Sequence, residues 1–207
     1  MRLASPAPSS EDRIIEVLGI DGAGKSTVVS ALASQLNITA RKVSPYPPAF
    51  HAAAERVERV LGEAAATAMR ASAIACTLIG EAAQPRNGPQ IFDRYVEAAR
   101  MFFAVRGIQP VPGPLLDELP GPGLVILLDL DPGLAMARRL RPSHADPAAE
   151  VAYLESCSLY LRRAAEVHRW PVIDASEPLD KVLAAASAKV AGYVDAKAMR
   201  FPARRPR

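Results

Sequence analysis

The sequence predicts a three-layer α/β fold: five parallel strands in one sheet, flanked by helices. Two observations predict it. Short apolar runs alternate with longer helical patterns along the chain, as in parallel strands joined by crossover helices. Half of the 207 residues are hydrophobic, enough for one full core of the size usual for a single α/β domain. The first strand is RIIEVLG (Arg13 to Gly19), and a helix opens near Lys25. ARKVS (Ala40 to Ser44) is the second strand, followed by a helix from about Ala49 and a further one, AAATAMRASAIACTLIGEAA, from Ala64 to Ala83. PQIFD (Pro89 to Asp93) is the third strand, with a helix starting near Tyr95. The stretch RGIQPVPGPLLDELPGPG (Arg106 to Gly123) reads as a Pro/Gly-rich surface connection with room for one short helix. GLVILLDLD (Gly123 to Asp131) and WPVIDA (Trp170 to Ala175) complete the strands, and helices start near Pro132, Pro147 and Pro178, where proline suits the first turn. There are no repeats and no interior linker. One domain is expected over residues 13–198, with a disordered tail at 1–12 and a basic tail at 199–207.

Composition narrows the partners. The net charge of +3 hints at anionic ligands, but the basic residues are dispersed rather than striped, which argues against nucleic acid. Cys76 and Cys157 lack metal-ligand spacing and read as reduced thiols, so no disulfide is expected. The N-terminus has no apolar signal region, and no run approaches the roughly 18 apolar residues that span a bilayer. A cytoplasmic protein without a membrane partner is expected.

The chemistry starts at the turn after the first strand. Gly19-Ile20-Asp21-Gly22-Ala23-Gly24-Lys25-Ser26 fits G-x-x-x-x-G-K-[ST] and lies between a strand and a helix, where the mechanism requires it. Glycines let backbone N–H groups turn inward onto phosphate oxygens, and the helix N-terminus adds partial positive charge. Lys25 then reaches the β- and γ-phosphates and Ser26 ligates Mg2+, with Thr27 beside it. This is the phosphate loop of a nucleoside triphosphate site, and with the strand pattern it specifies a three-layer P-loop fold.

Other residues choose among P-loop classes. The guanine-reading N-K-x-D of GTPases is absent, and long ATPases need more chain. A small kinase needs cations on the acceptor side and an arginine-bearing flap, because charge stabilisation is most of phosphoryl transfer. Asp93, Arg94 and Tyr95 follow a strand and precede a helix, which puts them in the ligand crevice at the carboxyl edge of the sheet. Arg94 can grip an acceptor phosphate with a bidentate fork, and Asp93 can order the metal or its waters. Arg138, Arg139 and Arg141 crowd a helix end that breaks at Pro142, marking a short lid over about 138–149. The alternatives are a helix cap with a solvated arginine at Asp93-Arg94-Tyr95 and a basic helix end satisfying its own dipole at the lid.

These residues resemble the thymidylate kinase family of nucleoside monophosphate kinases. DGAGKST (Asp21 to Thr27), DRY (Asp93 to Tyr95), LLDLDP (Leu127 to Pro132) with arginines after it, and VIDAS (Val172 to Ser176) occur in the family's order at about its spacing. The resemblance implies ATP with Mg2+ as donor and a pyrimidine nucleoside monophosphate as acceptor. It implies that Asp21 approaches the acceptor's 3′-hydroxyl, that Arg94 holds its phosphate, and that the loop from Ala175 to Pro178, with Ser176, borders the adenine. The departures fall on the acceptor side. Where the family has R-E-P or R-F-P after the second strand, this chain has SPYPPAF (Ser44 to Phe50), leaving Tyr46 but no arginine. Arg70 is the candidate for the arginine that a helix presents to the base. Polar residues after D-R-Y are replaced by Ala98 and Ala99, and a tyrosine near the sugar by Phe102. An unpaired buried polar group costs about 1–3 kcal/mol, so the base is read differently or the acceptor is not dTMP.

Three functions stay open on this reading: a kinase of dTMP or a relative; a P-loop kinase of a nucleoside hydroxyl or specialised nucleotide, with Asp21 as base; and a nucleotide-binding regulator without turnover. A homodimer is also expected. The helix from Ala64 to Ala83 is apolar nearly all round and must be covered on both sides. The sheet covers one, and a second copy of the helix, as the resemblance also implies, or the Arg106–Gly123 connection covers the other.

Overall fold

In the computed structural model, strand β1 (Ile14–Leu18) is the centre of the sheet: all five of its residues are buried, as a strand covered on both faces requires. The structure describes residues 14–43, 48–84, 88–108, 116–138 and 146–200. β3 (Gln90–Asp93) and β4 (Leu124–Asp129) flank β1, and β2 (Thr39–Lys42) and β5 (Val172–Asp174) form the edges. The order is β2-β3-β1-β4-β5, all parallel. The helices among the described residues are α1 (Lys25–Leu36), α2 (Pro48–Leu61), α3 (Glu63–Ala82), α4 (Val96–Val105), α5 (Pro132–Arg138), α6 (Pro147–His168) and α7 (Leu179–Arg200).

Every strand and helix read from the sequence is present, with ends shifted by a few residues. The ladder stops at Leu18 and Asp129 because the chain turns into loops there, although the apolar composition runs on. Tyr95 is the N-cap of α4 rather than its first residue, and the last helix starts one residue after Pro178. The expected tails at 1–12 and 199–207, Tyr46, Arg139 and most of the lid lie wholly or largely outside the described residues.

Alternating side chains divide the core. Ile15, Val17 and Ile91 join Val28, Val29 and Leu32 of α1 and Val182, Ala186 and Val190 of α7 in the larger cluster, which also takes in Leu154, Cys157 and Leu161 of α6. Ile14 and Phe92 join Ala71, Ile74 and Leu78 of α3 and Val96, Ala99 and Phe103 of α4 in the second. Leu116 belongs to that second cluster, with Ile108 and Leu119 packed on it, so the described ends of the Pro/Gly-rich connection cover part of it.

α3 departs from the expectation in one respect. Besides the core, α2 of the same chain packs along it, with Arg70 of α3 paired to Glu58 of α2. The surface left open on α3 is therefore a strip, Ala68, Ser72, Cys76 and Ile79, and not a whole face.

Candidate active site

The turn between β1 and α1 has a shape that only glycine permits. Gly22 has φ +95°, and a Cβ there would lie 2.6 Å from the Ala135 carbonyl oxygen of α5. Gly24, at φ +83°, is the N-cap of α1 and offers no side chain to its first turn, leaving those N–H groups for an anion. Ala23 N–H donates to the Ile20 carbonyl, closing the turn. Inside it lies Lys25, only 6% exposed, with Nζ donating to the Ile20 carbonyl at 2.8 Å and 3.6 Å from Asp21 Oδ1. Burial, then the charge of Arg94, lowers the Lys25 pKa to about 8. A buried ammonium beside a helix N-terminus whose first N–H groups have no side-chain cap suits a phosphate group.

Ser26 Oγ and Asp93 Oδ2 are hydrogen-bonded across 67 residues of sequence. The other carboxylate oxygen, Asp93 Oδ1, is buried and has no hydrogen-bond partner among the described residues. Such an oxygen suits a metal ion or its water, so Ser26 and Asp93 fit Mg2+. Among the described residues, no group of three or more His, Cys, Asp or Glu side chains is placed to hold a metal ion.

Across from the phosphate loop lies Arg94, a non-glycine residue at φ +70°. This left-handed backbone, uncommon outside glycine, turns the side chain out of the strand direction. The guanidinium meets Asp21, joining the end of β3 to the phosphate loop. Beside the pair is a cavity of about 300 Å3 lined by Leu18, Gly19, Ile20, Asp21, Lys42, Val43, Ile74, Arg94, Tyr95, Ala98, Ala99, Met101, Phe102, Tyr153, Leu154 and Cys157. Asp21, Lys42 and Arg94 are the charged residues of this lining, and most of the others are apolar.

Several contacts hold these walls. Glu16, fully buried, accepts from the backbone N–H groups of Tyr95 (2.6 Å), Glu97 (3.1 Å) and Ala98 (3.0 Å), so β1 caps α4 from beneath. Burial nevertheless pushes its carboxyl up to about 7, against the pull of those amides. The Tyr95 ring is buried against Phe92, with centroids 4.6 Å apart and planes tilted by 37°, and it lines the cavity. Phe102 and Tyr153 share one cation: the Arg106 guanidinium lies 5.9 Å from the first ring and 4.7 Å from the second. Burial, then neighbouring Cys157, raises the Tyr153 pKa, so its phenol is a neutral hydrogen-bonding group.

The residues singled out in the sequence divide accordingly. Gly19, Asp21, Gly22, Ala23, Gly24, Lys25, Ser26, Thr27, Asp93 and Arg94 come together, and Tyr95 and Phe102 line the adjoining cavity. Arg70 does not line it. It pairs with Glu58 of α2 at 2.9 Å, and Ile74, one turn on, reaches the cavity instead. Arg138 donates to the Ala175 carbonyl at 2.8 Å, and Ser176, in the same loop, donates to Asp174 at 2.6 Å, so the base of the lid is tied to the loop after β5. Sequence reading missed Glu16, Lys42, Arg106, Tyr153 and Cys157. The charge in the middle of an apolar β1 was a usable signal for Glu16, since a buried acid needs donors. The others had none.

Comparison with known proteins bears on this geometry. A family model for thymidylate kinase matches residues 17–186. A probable thymidylate kinase of Pyrobaculum aerophilum is 28% identical over 193 residues, covering 82% of this chain and 92% of that protein. A thymidylate kinase of Deinococcus radiodurans is 29% identical over 192 residues, covering 84% and 93%. Among solved structures, deoxyadenosine kinase from M. mycoides with dCMP and dCDP superposes with a TM-score of 0.65 at 17% identity, over 86% of this chain and 98% of that one. The same enzyme with dATP gives 0.64 at 18%, over 86% and 99%. At that identity the likeness concerns the fold.

Proposed function

Because this chain belongs to the thymidylate kinase family and is a nucleotide kinase, we propose that it moves the γ-phosphoryl group of ATP onto dTMP or a related pyrimidine monophosphate. The observation that carries the reading is the meeting of Arg94 and Asp21 at the mouth of an apolar cavity, with Lys25 behind them. ATP lies in the phosphate loop with its base toward Ala175 to Pro178, where Arg138 and Ser176 border it. Ser26 and Asp93 would hold Mg2+, which when bound would offset charge on the transferring group. Arg94 grips the acceptor phosphate, and Asp21 accepts from the acceptor sugar. Tyr95 and Phe102 bound the acceptor ring.

A nucleoside acceptor is the second reading. A hydroxyl must lose its proton to a base, and Asp21 is already engaged by two cations. An ionised phosphate needs no base, which favours the monophosphate. The non-catalytic reading is dropped for a nucleotide kinase. The exposed strip on α3 supports a two-fold dimer, and the two free thiols support a reducing, cytoplasmic place. Release of ADP, followed by a coupled assay over a panel of nucleosides and nucleotides, tests the reading: turnover on a pyrimidine monophosphate is expected, and turnover on nucleosides alone overturns it.

A further inference from the structure

We infer that Lys42 is a phosphate-binding cation on the acceptor side of this site, doing from the sheet the work for which no arginine is available in the loop after β2. The inference rests on the phosphoryl transfer proposed above. Residues 44–50, SPYPPAF, carry no basic side chain. Arg41 and Lys42 end β2, and successive strand residues turn to opposite faces. Arg41 pairs with Glu81 of α3 at 3.1 Å. Lys42 is thereby directed the other way, and the register of the sheet sets it beside Asp93. Its Nζ lies 3.4 Å from Ser26 Oγ and 3.7 Å from Asp93 Oδ2, and it lines the same cavity as Asp21 and Arg94.

A purely structural role accounts poorly for this placement. The side chain is 62% exposed, and an exposed lysine pair on a flexible stem contributes little to folding. Transfer, by contrast, needs a cation here. The bond from the γ-phosphorus to the oxygen of the departing ADP breaks, a bond from the same phosphorus to an oxygen of the acceptor phosphate forms, and no proton moves. Two anions must be brought into contact, so positive charge between them decides the rate. Lys25 supplies it on the donor side. Arg94 shares its charge with Asp21, and Lys42 adds a second mobile cation whose four-carbon stem lets it turn from Asp93 toward an arriving phosphate.

The test compares the parent with Lys42→Met and Lys42→Arg on Mg-ATP and the best acceptor from the nucleotide panel. Titration with ATP alone and thermal melting report the donor site and the fold. Lys42→Met is expected to lose about 10-fold or more in kcat/KM for the acceptor, with ATP affinity within about twofold, and Lys42→Arg to recover most of the loss. Acceptor kcat/KM of Lys42→Met within about twofold of the parent overturns the inference and leaves the proposed reaction standing. ATP affinity falling as far as transfer also overturns it, because Lys42 then serves the donor side. A parent inactive on every monophosphate overturns the reaction itself, and the inference with it.

Discussion

Lys25 holds a positive charge inside the protein at an energetic cost, and a bound triphosphate relieves it. With its pKa lowered to about 8, the free enzyme loses this charge in mildly alkaline solution. Above that pH, triphosphate binding must first restore the proton, and affinity falls tenfold per unit. ATP titrations from pH 7 to 9.5 are expected to show this inflection, and Lys25→Arg to lack it, since guanidinium stays charged throughout. Lys25→Ala removes turnover with the fold intact, because the ammonium's contacts are with its own loop; retained turnover overturns the role. Arg94→Ala is expected to raise acceptor KM by about 10-fold, close to 1.4 kcal/mol, while ATP affinity holds. If neither acceptor KM nor kcat moves, the hydroxyl-acceptor reading gains. The phosphate loop was legible residue by residue because its chemistry depends on neighbours in sequence. Arg70 was not, since a helix position does not reveal which of two helices an arginine will meet, and Glu58 of α2 takes it.

At the scale of elements, α4 hangs from β1 through one carboxyl group. Removing it in Glu16→Ala leaves three helix N–H groups without their acceptor. A loss of about 2–3 kcal/mol is expected, read as a melting point lower by about 4–12 °C. Its acidity has a pH signature. The Glu16 pKa rises from 4.5 to about 7 on folding, so between those values the native state holds a proton that the unfolded chain has released. This contribution to stability is fully present below pH 4.5 and is lost as pH rises through 7. Melting of Glu16→Gln is expected to lack that trend. Gly22 joins two further elements, since the phosphate loop passes over α5 with no room for a methyl group. Gly22→Ala should push the loop from α5 and weaken ATP binding in calorimetry at least as much as it lowers the melting point. The sequence showed where these elements lie, because apolar period and proline placement are local. That Glu16 caps α4 depends on β1 and β3 being neighbours, which no local pattern states.

For the whole molecule, assembly follows from what α3 leaves uncovered. The strip Ala68, Ser72, Cys76 and Ile79 is small and mostly apolar, and a two-fold partner would bury it. Light scattering at micromolar concentration is expected to report about twice the 22.1 kDa of one chain, and Ile79→Glu to halve it; a parent at the monomer mass rules out a stable dimer. By itself the sequence determined the α/β layers, the five parallel strands and the phosphate loop, because each is written in contiguous residues with their own periodicity and turn chemistry. Only the tertiary structure added Lys42 and Tyr153 to the cavity beside Arg94 and Phe102, which the sequence had singled out. Lys42 comes from β2, Arg94 from the turn after β3, Phe102 from α4 and Tyr153 from α6, and they meet because the register of β2 on β3 and the packing of α4 on α6 bring them together. Such pairings are set by burial of the whole core at once, so they become visible only when the chain has folded.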